Sequence, residues 1–171
     1  PWAYIARAFI GYARRDSDLS LSSSQKAVEL NPSFAYGHSL HGSALAFAGR
    51  GTDGLGNIEL AMKLSPRDVW HEEFDLHYAF AHFQAGNYEE AARFSERASL
   101  PRPGHVTPHW LLMASYGHLG QLDKGQEALF RLRTHVPGFL LTTENIPPVY
   151  VHDEDHHRVL DGLDRAGVLG V

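Results

Sequence analysis

Histidine and the acids are the residues of this chain best able to do chemistry, and they crowd together in His152-Asp-Glu-Asp-His-His157. Imidazoles and carboxylates are zinc ligands, and His152 and His156 stand one turn apart on a helix. The acids have a second use: Asp153, Glu154 and Asp155 at the start of a helix meet the positive end of its macrodipole, which requires no metal. Structural zinc wants four ligands and catalytic zinc three in a shaped cavity, so the expectation is no metal and no cofactor. The pairs His38/His41 and His105/His109 have spacings that share a helix face, as surface or groove residues. Gly49-Arg-Gly-Thr-Asp-Gly54 matches the dinucleotide fingerprint in letters. That fingerprint works only between a strand and a helix that receives pyrophosphate, whereas here it follows a helical pattern, where turn glycines explain it. Cysteine is absent, and no serine is tied by a signature to a histidine and a carboxylate. Catalysis has no candidate, and a histidine-rich metal-dependent hydrolase is the most distant reading.

The elements that position these residues follow from punctuation. Pro32, Pro66, Pro103 and Pro137 recur at intervals of 34, 37 and 34, with Gly49, Gly86 and Gly120 ahead of the last three. A period near 34 implies stacked helix pairs. The expected units are 1–34, 35–71, 72–105 and 106–137, then a connector and capping helix over 138–171. In the third unit, Asn87 with Glu90 three residues later reads as a capping box. The insertion around Val69-Trp70-His71 is expected to lengthen that unit's first helix, and Gly54 and Gly56 to weaken the second helix of unit two. The first unit lacks a turn glycine. Beyond Pro137, Pro147 and Pro148 forbid regular helix. A last helix is expected from about Glu154 to Ala166, with Asp153 as N-cap and Gly167 as stop, covering the apolar end of the stack.

Composition narrows the partners. A net charge of -5 opposes nucleic-acid and anionic-lipid binding, since both need a dense positive face. No run approaches the roughly 18 to 20 apolar residues that span a bilayer, so membrane insertion is not expected and the chain reads as soluble. The absence of cysteine does not separate cytosol from periplasm; a cytoplasmic location is the expectation. The chain opens at Pro1 and reads as a piece of something longer.

Phe74 to Ala98, followed by Pro103, resembles the tetratricopeptide repeat. Small residues there fall where helix backbones nest: Ala79, Gly86, Ala91 and Ala98, with Gly42, Ala61 and Gly120 in equivalent places of other units. The resemblance implies an all-α, right-handed superhelical solenoid that binds protein. Carried over residue by residue, its groove lining includes Trp2, Ile5, Phe9, Tyr12, Tyr36, Phe47, Leu76, Phe80, Phe83 and Trp110. Some of these are expected to serve as inter-helix core. Relatives that clamp acidic tails place lysine, arginine or asparagine at lining positions, where this chain has Ile5, Phe9, Ser39, Ser43, Leu76, Phe80 and Trp110. The implied partner is therefore an apolar or amphipathic protein segment, with homodimerisation as one form.

Four stretches, Ala27 to Pro32, Ala61 to Asp68, Ala79 to Ala91 and Leu160 to Val168, resemble the repeat region that follows the catalytic domain of bacterial class III adenylate and guanylate cyclases. The resemblance implies a regulatory module beside a catalytic domain. The alternative is a free-standing adaptor for complex assembly or secretion.

Overall fold

The computed structural model describes residues 1–170, and all its regular elements are helical. Four hairpins follow in chain order: α1 Trp2–Ala13 with α2 Ser17–Leu30, α3 Ala35–Phe47 with α4 Gly51–Leu64, α5 His71–Gln84 with α6 Tyr88–Ser99, and α7 Val106–His118 with α8 Leu122–His135. A 3-10 turn at Thr143–Asn145 and helix α9, Asp153–Arg165, complete the chain. The second helix of each hairpin packs on the first helix of the next. The hairpins thus stack side by side, leaving α1, α3, α5 and α7 to form one face.

Small side chains make that stacking close. Ala61, Ala79 and Ala91 are wholly buried and Ala98 nearly so. Helix axes can approach only where no β-branch or long stem intervenes, which is the steric content of these alanines. Three hairpin turns use the left-handed region at Gly49, Gly86 and Gly120. The first turn, lacking glycine, puts Arg15 there instead, with φ 54°, a conformation that L-residues other than asparagine and aspartate rarely take.

Several local expectations are corrected. Asn87 stands at the N-cap of α6, but its side chain makes no capping bond, and Glu90 turns to Arg93 one turn on. Asp16 is a working cap, accepting from the Leu19 amide at 2.9 Å. Asp153 is the first residue of α9 rather than its cap, because its carboxylate is drawn to Arg15 at 3.0 Å. The insertion at Val69 and Trp70 lengthens the turn before α5, leaving Val69 exposed; α5 has 14 residues against 13 in α3 and α7. Gly54 lies where α4 crosses α3, against the backbone of Gly42.

The tail does more than cap an end. From Pro137 it crosses the inner face toward the first hairpin, turns near Gly49, and returns as α9 packed along α7. Leu141, Ile146, Val149 and Tyr150 are buried on the way. The Gly170 amide donates to the Leu141 carbonyl at 2.9 Å, closing the loop.

Candidate protein-binding groove

The ten lining positions form a gradient from open to closed. Trp2, Phe9 and Tyr12 on α1 are exposed at 60%, 42% and 37%, Tyr36 and Phe47 on α3 are half-buried, and Leu76, Phe80, Phe83 and Trp110 on α5 and α7 are buried. Ile5 is also buried, for a different reason: it packs with Ala8, Ala27 and Leu40 in the seam below the groove. An aromatic stripe open along its whole length is therefore not what the chain folds into; α1 and part of α3 keep it.

The tail does part of the closing. Tyr150, fully buried, lies with its ring centroid 5.9 Å from Phe47, 6.1 Å from Phe80 and 6.4 Å from Phe83. Its hydroxyl donates to the Phe80 carbonyl at 3.0 Å, so the one polar atom taken into the apolar site is satisfied. Burial pushes that phenol well above its ordinary pKa. The Val151 amide donates to the Phe47 carbonyl at 2.8 Å, and Arg15 donates to the carbonyls of Tyr150 and Val151 at 3.2 and 3.0 Å. On the return path Arg158 donates to the Gln84 carbonyl at 2.9 Å, and Gly162 crosses Gly117 at backbone contact.

Between this strap and α1 remains a cavity of about 240 Å³. Phe9, Tyr12, Leu40 and Leu76 wall it, Pro147 and Val149 form its tail side, and Glu73, Arg102 and His105 stand at its mouth. Its polar groups are neutral or paired. Burial holds the His77 imidazole down at about 4 against a smaller upward pull from Glu73, and Ser39 Oγ sits 2.8 Å from its Nδ1. His105 is lowered by burial and then by Arg102; Tyr12 is raised by burial, and Tyr36 is pushed up to about 12 by burial and then Glu73. Ser43 bonds back to the Leu40 carbonyl at 3.0 Å. Arg102 is paired with both Glu73 and Glu72. A surface of this kind rewards apolar area and offers little to an isolated charge.

The fold is that of the tetratricopeptide repeat. The chain superposes on the crystal structure of PilW, a widely conserved type IV pilus biogenesis factor, with a TM-score of 0.73 and 15% identity, over 96% of this chain and 74% of that one. It superposes on the MamA protein with a TM-score of 0.63 and 16% identity, over 96% of this chain and 88% of that one. No protein-family model and no curated protein sequence matches.

The chemically suggestive runs make contacts of their own within the fold. Asp153 is paired with Arg15 and Asp155 with Arg158, and no three potential ligands form a metal-binding group among the described residues. Gly49 makes a turn beside His152, and Gly51 opens α4 with its amide donating to Gln84 Oε1 at 2.7 Å. His38 and His109 repeat one device, each placing Nε2 2.9 Å from the carbonyl of the proline six residues earlier. His105 borders the groove mouth, while His41 Nδ1 meets Ser24 Oγ at 3.0 Å. Among the described residues no helix is long and apolar enough to cross a membrane.

Sequence reasoning missed Arg15 and Tyr150 as groove residues. The apolar run Ile146 to Val151, broken by two prolines, signals burial of a non-helical segment. It carries no sign of which surface receives it.

Proposed function

We propose that this chain is a non-catalytic binding scaffold that holds an apolar or amphipathic protein segment over the inner face of α1, α3 and α5. The observation that carries the reading is the exposed aromatic face of α1, Trp2, Phe9 and Tyr12, continuous with a cavity walled largely by apolar side chains, in which Glu73 is paired with Arg102 and His77 with Ser39. Aromatic area at low entropic cost dominates interface energetics. Panning a random peptide library on the immobilised chain tests it: selected sequences should be rich in aliphatic and aromatic residues, and Phe9→Ala with Tyr12→Ala should abolish their binding while helical circular dichroism stays intact. Selection of acidic carboxy-terminal tails, or binding indifferent to both substitutions, refutes it.

For the biological setting we propose the cytoplasmic regulatory part of a bacterial adenylate or guanylate cyclase-like protein, supported by the four stretches that resemble that group. Groove occupancy would then bias how two catalytic domains meet, which requires different contacts in two states. The coding sequence upstream of Pro1 tests this; a frame without a cyclase domain refutes it. The second reading, an adaptor for assembly or secretion, draws support from the likeness to PilW, named as a pilus biogenesis factor.

A further inference from the structure

We propose that Ile146-Pro-Pro-Val-Tyr-Val151 is an intramolecular occupant of the recognition groove, and that the partner displacing it is an extended, proline-led peptide anchored by a tyrosine. The inference rests on the groove assignment above and names the chemistry of its ligand. Three observations carry it. The strap runs without regular helix across the face where α3 and α5 present Phe47 and Phe80. It is held through three buried side chains, Ile146, Val149 and Tyr150, with the Tyr150 hydroxyl donating to the Phe80 carbonyl, and through one main-chain bond from the Val151 amide to the Phe47 carbonyl. Its far end is fastened by a latch of another character. Arg15 reaches the carbonyls of Tyr150 and Val151 and the carboxylate of Asp153, with the two charged side chains 41% and 80% exposed.

An exposed ion pair is screened by salt and contributes little. The strap is thus anchored by Ile146, Val149 and the Tyr150 ring in apolar surroundings and closed by a fastening that water can compete for. Pro147 and Pro148 limit the freedom of its free state, so a segment of this composition loses little entropy on seating. A partner entering from the open α1 side meets Phe9 and Tyr12 first and Val149 beside them, then contests the Tyr150 slot.

The probe is a fluorescein-labelled peptide of residues 146–152, followed by anisotropy. The Tyr150→Ala chain, its slot vacated, should bind it in a saturable manner at least tenfold more tightly than the unaltered chain. A probe with alanine for its tyrosine should lose at least tenfold. No saturable binding to a Tyr150→Ala chain of unaltered circular dichroism, or equal affinity of both chains, overturns the proposal. Should Tyr150→Ala lose its helical signal, Arg15→Ala takes its place, with exchange of the Val151 amide as readout. At least tenfold faster exchange there, with the α5 and α6 amides unchanged, supports a releasable strap; unaltered exchange overturns it. A chain that refuses the probe yet still selects apolar peptides through Phe9 and Tyr12 overturns this inference and leaves the proposed function standing.

Discussion

Gly42 of α3 and Gly54 of α4 cross so closely that a β-carbon on Gly54 would stand 2.3 Å from the Gly42 carbonyl oxygen, and one on Gly42 2.6 Å from that of Gly54. Neither backbone can yield without parting the hairpin. Gly54→Ala should therefore destabilise the chain by about 1 to 3 kcal/mol, the cost of overpacking. Gly56 sits on the same helix, exposed and with open space around it, so Gly56→Ala should stabilise by about 0.5 to 1 kcal/mol. Urea midpoints of the two variants should move in opposite directions; a shared direction would disprove the crossing.

Ala91 is wholly buried where α6 meets its neighbours. Ala91→Leu adds three carbons to a filled space and should cost about 1 to 3 kcal/mol by chemical denaturation. A neutral substitution would show that α5 and α6 do not nest as described.

Tyr150→Phe removes the phenol hydroxyl while preserving the ring's area against Phe47, Phe80 and Phe83. The loss should be about 0.5 to 1.5 kcal/mol, one hydrogen bond's net contribution. A substitution with no measurable effect would mean that the bond to Phe80 contributes nothing.

Burial holds His77 at about 4, below the 6.5 usual for histidine. As pH falls below 6.5 the unfolded chain takes up a proton that the folded chain refuses until about 4. This contribution is complete above 6.5, shrinks through that window and is level below it. His41, His82 and His109 are lowered by burial in the same sense. Between pH 7 and 5 stability should fall, with His77 supplying on the order of 2 kcal/mol. His77→Gln should show a shallower pH slope; a slope equal to that of the unaltered chain would contradict the assignment.

How much of this was legible beforehand differs by residue. Pro66, Gly86, Ala91 and Gly120 state local requirements, a helix stop, a left-handed turn, a close backbone approach, and a local requirement can be read where it stands. The N-caps were read less well. Asn87 and Asp153 are the right residue types at helix starts, but Glu90 found Arg93, and Asp153 found Arg15 from the opposite end of the chain.

The amino-acid sequence by itself determined the repeating α-hairpins, the alanines and glycines at their crossings and the aromatic character of the inner face, because each is a property of neighbours within one or two turns. Only the tertiary structure decided which aromatics remain open. That outcome depends on where the tail lies, and Tyr150 meets Phe80 across 70 residues of chain. Apolarity says that a side chain will leave water, and does not say what it will meet when it does.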